Sequence, residues 1–164
     1  MRWIAIRYLT GAALAALLAP ILTAADITGT AVPAAGIEVD YDWPTSHPVE
    51  LVKAYDPPLQ PWQRGHRGVD LRQPTGSPVF AMAPGQVSTA GEIAGKQVVA
   101  ITHADGIRTT YELVEPCVSV GEMVSGGDRI GTQISSVLNL GAKVSADEYR
   151  NPLALIYGYP VLNE

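Results

Sequence analysis

Between Gly65 and Val144, short aliphatic and β-branched runs are cut at close intervals by turn residues, and no stretch there keeps a helical period. Ser77–Ala81, Gln86–Ala90, Gln97–His103, Ile107–Val114, Val118–Val120, Met123–Val124, Arg129–Thr132 and Val137–Val144 read as strands. Pro74-Thr75-Gly76, Pro84-Gly85, Asp105-Gly106, Gly121-Glu122 and Gly126-Gly127-Asp128 read as turns. Glycine and Asp-Gly supply the positive φ that tight turns need. Sixteen Gly and thirteen Pro in 164 residues agree with that rhythm. About eight short strands at regular spacing predict an all-β, mostly antiparallel sandwich or barrel. Within Ile107–Val114, alternation puts Ile107, Thr109, Tyr111 and Leu113 on one face and Glu112 on the other.

The first residues have a different character. Met1–Arg7 carries two arginines, and Tyr8–Ala25 is uncharged and rich in Ala and Leu. Residues 1–25 therefore read as a secretory signal peptide or, uncleaved, as an N-terminal membrane anchor. Both place the remainder outside the cytoplasm. Residues 26–42, rich in Ala, Gly, Thr and Pro, read as a flexible linker, and residues 43–164 as the folded domain. The net charge of −5 leaves no electrostatic footprint for nucleic acid or an anionic membrane. Contact with a membrane is expected only through an uncleaved leader.

Trp43-Pro44, His47-Pro48, Asp56-Pro57-Pro58 and Gln60-Pro61-Trp62 set prolines among large residues. Proline favours extended backbone, so Trp43, Leu51, Val52, Tyr55 and Trp62 are expected along a sheet edge, with His47 at the surface. Cys117 is the single cysteine and cannot form an internal disulfide; it reads as a small buried residue. The chemistry is concentrated in Gly65-His66-Arg67-Gly68-Val69-Asp70-Leu71. An imidazole and a carboxylate four residues apart are both good metal ligands, and the glycines let the backbone aim them at one point from a loop or strand.

Gly65-His66-Arg67-Gly68-Val69-Asp70, Gly76-Ser77-Pro78-Val79, Ala83-Pro84-Gly85-Gln86-Val87, Val99 to Gly106, Thr109-Thr110-Tyr111 and Val120 to Gly131 follow one another in the order of a known family. From about Trp62 to Ile156 the chain resembles the LytM or lysostaphin type of zinc metallopeptidase, which cleaves peptide cross-links in bacterial peptidoglycan. The resemblance implies a barrel-sandwich hybrid whose sheet lines a groove. It also implies a bacterial cell-envelope location. Active members use the His and Asp of His-x-x-x-Asp and the second His of a late His-x-His as zinc ligands. The resemblance carries the first two onto His66 and Asp70. The late motif falls on Val137-Leu138-Asn139, so the third metal position is Asn139 and one assisting histidine is replaced by Val137. A further assisting histidine, two residues after a strand tyrosine, is replaced by Leu113.

Alternation sends residues 137 and 139 to the same face, so both losses fall in one groove. Catalytic zinc takes three protein ligands and one open position, and an amide oxygen is a weak replacement for imidazole. Without zinc nothing draws the water pKa from about 16 toward about 7. Losing general acid–base help alone costs on the order of a hundredfold or more. The expectation is a catalytically inactive domain with no resident cofactor, or weak zinc at His66 and Asp70. It would keep a groove with Arg67, Tyr111 and Asn139 as binding residues. Its partners would be peptidoglycan peptides or a cell-wall hydrolase. The alternatives are an active zinc endopeptidase with a rebuilt metal site, and a structural envelope interaction domain. His103, outside the metal site, reads as structural.

Overall fold

A computed structural model of the chain describes residues 38–60 and 62–158, all within the unit Ala35–Glu164. The expected leader and residues 26–37 of the expected linker lie outside the described residues. In chain order the strands are β1 (Leu51–Lys53), β2 (Gly68–Arg72), β3 (Pro78–Phe80), β4 (Gly85–Ile93), β5 (Lys96–His103) and β6 (Arg108–Glu112). Then come β7 (Val114–Pro116), β8 (Met123–Val124), β9 (Arg129–Gln133), β10 (Val137–Lys143) and β11 (Tyr149–Arg150), followed by the helix α1 (Pro152–Tyr157). The large sheet runs β1-β2-β10-β6-β5-β4-β8, with β11 also on β10; the small sheet runs β3-β9-β7. The pairings within both sheets are antiparallel, as the turn-punctuated sequence predicts.

Alternation decides what each strand buries. Leu138, Leu140 and Ala142 of β10 point inward with Val69 and Leu71 of β2 and Tyr111 of β6. Val79, Val114 and Ile130 of the small sheet join the same hydrophobic cluster. Each fully buried Val, Leu or Ile contributes about 1.5–3 kcal/mol. The opposite face of β10, residues 137, 139, 141 and 143, is only partly covered. The β4–β5 hairpin is longer than expected: Ala94 (φ 50°) and Gly95 (φ 79°) form its two-residue turn, and Ile93 pairs with Lys96.

Several expectations are corrected by the packing. Tyr41, assigned to the linker, is buried in the core, and its hydroxyl donates to the Asp105 carboxylate at 2.9 Å. Packed structure therefore reaches back ahead of residue 43. Leu113 does not continue β6. Its φ of 64° breaks the alternation, because the chain leaves the large sheet at Glu112 and enters the small one at Val114. Backbone bonds from Leu113 N–H to Gln97 C=O, 2.8 Å, and from Ile134 N–H to Leu113 C=O, 2.9 Å, fix that corner. Cys117 is exposed, since it follows the edge strand β7 of the small sheet. Residues 118–120 form no strand. Of the proline-rich stretch, Trp43 is buried and Tyr55 packs on the core, whereas Trp62 projects into solvent, 81% exposed. The closing helix begins at Pro152, with Asn151 as its N-cap accepting Leu153 N–H at 3.1 Å.

A buried polar chain ties β5, β6 and the 81–84 segment together. His103 Nδ1 donates to the Pro84 carbonyl at 2.8 Å, and its Nε2 lies 2.8 Å from the Thr109 hydroxyl. The Thr109 and Tyr111 hydroxyls are hydrogen-bonded at 3.1 Å, and Tyr111 also accepts Met82 N–H at 3.0 Å. Burial pushes the Tyr111 phenol up to about 12. Burial also lowers the His103 pKa from its ordinary 6.5, against the opposing pull of the Pro84 carbonyl and the Asp105 charge. The folded state thus holds His103 neutral while the unfolded chain takes a proton near 6.5. This stabilisation is complete above that pH and is lost as the pH falls through the lower folded value. Denaturant midpoints are expected to fall between pH 7.5 and pH 5 more steeply in the native chain than in His103→Asn; equal slopes would reject the assignment.

Candidate functional site

The loop that carries His66 is clamped before β2 begins. Asp56 and His66 exchange both backbone hydrogen bonds, at 2.9 and 2.6 Å, and a Cβ at Gly65 would overlap the Asp56 carbonyl and Pro58. His66 Nδ1 faces the Ala54 carbonyl at 2.9 Å, which leaves Nε2 directed at the sheet. Asp70 lies on β2, directly opposite Asn139 on β10, and Asn139 is in turn opposite Glu112 on β6. One row across three strands therefore reads Asp70, Asn139, Glu112.

His66 Nε2 and Asp70 Oδ1 are 3.2 Å apart, with side chains only 12% and 22% exposed. Two ligands at 2.0–2.1 Å from a tetrahedral zinc would be about 3.3 Å apart, so the spacing of this pair suits a shared metal. The third corner does not. Asn139 Nδ2 lies 2.7 Å from Asp70 Oδ1 and 3.2 Å from His66 Nε2. A carboxylate only accepts, so the amide NH₂ must face it. With Nδ1 committed to Ala54, a neutral His66 also presents Nε2 as an acceptor. In that tautomer the amide has one hydrogen for each of the two acceptors. Among the described residues no group of three or more His, Cys, Asp or Glu could hold a metal ion. The donor set is thus one strong ligand short of a catalytic zinc centre.

A groove of about 530 Å³ opens beside this triad. Its walls and floor include Arg67, Lys96, Arg108, Thr110, Glu112, Asn139, Gly141, Lys143 and Tyr149, together with Gly65, His66 and Gly68. Arg67 and Lys143 both lie over the Tyr149 ring, 5.5 and 5.3 Å from its centroid. Lys96 Nζ pairs with Glu112 Oε2 at 2.8 Å. Of the expected binding residues, Arg67 and Asn139 line this groove. Tyr111 is not: it is fully buried on the opposite face of β6, where its hydroxyl serves the core. Leu113 sits at the corner between the sheets and Val137 on the Asn139 face, and neither lines the groove.

Reading the sequence missed Glu112, Arg108, Lys143 and Tyr149. Alternation held a signal for the first three. Once residue 139 is assigned to the groove, 141 and 143 follow on β10, and the β10–β6 pairing brings 112, 110 and 108 alongside. Tyr149 had none, because β11 returns to β10 only through tertiary pairing.

Comparison with known proteins agrees with the fold. A protein of Mycobacterium tuberculosis (strain H37Rv), itself uncharacterized, is 36% identical over 142 residues, covering 80% of this chain and 57% of the relative. The chain thus spans little more than half the length of that relative. The DD-carboxypeptidase/endopeptidase Mpg of Neisseria meningitidis is 37% identical over 76 residues, 46% of this chain and 17% of the relative. Among solved structures, lysostaphin from Staphylococcus simulans superposes with a TM-score of 0.62 at 24% identity, over 77% of this chain and 57% of that one. The model of peptidase family M23 matches residues 64–149, from just before the His66 loop to Tyr149 on the groove wall and over half of the sequence. This chain belongs to peptidase family M23.

Proposed function

We propose that this chain is an exported, catalytically degenerate M23 domain of the bacterial cell envelope. In this reading it binds peptidoglycan peptides, or a hydrolase that acts on them, without cutting peptide bonds. The observation that carries the reading is the Asn139 amide. It hydrogen-bonds to both His66 and Asp70 from the position where a third ligand would stand. A cation shared by those two atoms would have to displace hydrogen bonds already made. The position also offers only an amide oxygen, which suits harder ions better than zinc. Leu113 and Val137 supply no proton transfer. The preserved scaffold and the open groove support binding as what remains. The uncharged Tyr8–Ala25 run behind Arg2 and Arg7 supports export.

A second reading has its own support. The 3.2 Å spacing of His66 Nε2 and Asp70 Oδ1 suits two zinc ligands, and the Neisseria relative is named as a peptidase. That reading makes the protein a zinc endopeptidase with a rebuilt metal site. The test is to incubate the purified full chain with zinc and intact peptidoglycan, then measure sedimentation with the wall and release of soluble fragments. Co-sedimentation without fragments, and less than one retained zinc per chain, is expected. Fragments that disappear in Asp70→Ala would establish the second reading. Neither binding nor cleavage would reject both and favour a structural envelope role.

A further inference from the structure

We infer that the groove takes a carboxylate-bearing peptide, with Arg108 and Lys143 as the contacts of the carboxylate. The inference rests on the reading of the groove as a peptide-binding site and names the chemistry of its ligand. The chain is acidic, at −5, yet its groove collects Arg67, Lys96, Arg108 and Lys143 against Glu112. Glu112 answers Lys96. Arg108 and Lys143, by contrast, are direct cross-strand partners on β6 and β10, and neither makes an ion pair among the described residues. Like charges directly opposite one another destabilise a sheet. An anion lying between them would relieve that repulsion, and the planar guanidinium matches a carboxylate in bidentate fashion.

The floor is kept open where a ligand would cross it. Gly141 stands between Asn139 and Lys143 on the groove face of β10. A Cβ there would meet nothing nearer than Thr110 Cβ at 3.9 Å, and its φ lies outside the left-handed region. Neither packing nor backbone demands glycine at 141, and its effect is an unfilled floor beside Thr110. The charge is also localised. Asp70, Asn139 and Glu112 form one row, and Lys143 and Arg108 another, four residues along β10. At about 3.3 Å per residue the rows are about 13 Å apart, the span of an extended peptide of about four residues. A continuous polyanion would meet Asp70 and Glu112 at the far end, whereas a peptide with one terminal or side-chain carboxylate would not.

The test titrates the full chain calorimetrically with a peptidoglycan stem tetrapeptide bearing free carboxylates, and with the same tetrapeptide fully amidated. Inorganic phosphate serves as competitor. The free-acid form is expected to bind at least tenfold more tightly than the amide. Arg108→Glu and Lys143→Glu should abolish that preference while keeping or raising the thermal midpoint, because each replaces a like-charged pair with an opposite one. Gly141→Leu should block both peptides. Equal affinity for the two forms, still blocked by Gly141→Leu, would overturn the carboxylate assignment and leave the groove reading standing. Phosphate displacing the free-acid peptide at equal concentration would overturn the assignment to a peptide carboxylate. Failure of both peptides to bind, or binding indifferent to Gly141→Leu, would overturn the groove reading and this inference with it.

Discussion

Asn139→His is expected to convert the site into one that retains zinc. The substitution removes the amide that hydrogen-bonds to His66 and Asp70 and puts an imidazole at the same corner of the triangle. Those two ligand atoms already stand 3.2 Å apart, so no backbone movement is needed. Outer partners of a metal site alone are worth 10–100-fold in affinity, so a third direct ligand should raise zinc affinity on the order of a hundredfold or more. Zinc at a hundred times its dissociation constant would then stabilise the variant by about 2.7 kcal/mol. The measurement is zinc content after dialysis, together with the thermal midpoint with and without zinc. One zinc per chain is expected in Asn139→His and none in Asn139→His combined with Asp70→Ala. Peptidoglycan cleavage is not expected to return, because Leu113 and Val137 still leave the site without a proton-transfer group. Cleavage by the single variant would show that acid–base help comes from elsewhere, and Glu112, beside Asn139 in the same row, would be the first residue to test.

Gly68→Ala and Gly141→Ala are expected to differ sharply although the two glycines are paired in register on β2 and β10. A Cβ at Gly68 would overlap the carbonyl oxygen of Leu140, which belongs to the backbone and cannot rotate away. Separating β2 from β10 at that point should cost about 3 kcal/mol. It should lower the midpoint by on the order of 10 °C. It would also loosen the strand that carries Asp70. At Gly141 the added methyl enters open space, so Gly141→Ala should be neutral or stabilising by up to about 1 kcal/mol, since alanine loses less backbone entropy in a strand. Equal losses in the two variants would mean that Gly141 is required by the fold, and the argument for an unfilled groove floor would fall with it.

Much of the architecture was legible without coordinates, for a local reason. Turn residues have steric and hydrogen-bonding preferences that act over three or four positions, and strand alternation has a fixed period of two. From these came the all-β, antiparallel class and the shared face of residues 137 and 139. Pairing the loop histidine with Asp70 rested on the same local reach, since four residues of glycine-rich chain suffice to bring them together. Alternation says only which residues share a face; it does not say which face meets solvent or which strand lies alongside. The β2-β10-β6 order, joining segments about 70 and 30 residues apart in the chain, put Asp70, Asn139 and Glu112 in one row. The same order set Lys143 against Arg108. It turned Tyr111 into the core rather than the groove, and the crossing between sheets took Leu113 out of its strand. The two hydrogen bonds from Asn139 follow from that order as well. The resemblance sets Asn139 at the expected third metal position, but only non-local strand pairing brings its amide within 2.7 and 3.2 Å of Asp70 Oδ1 and His66 Nε2.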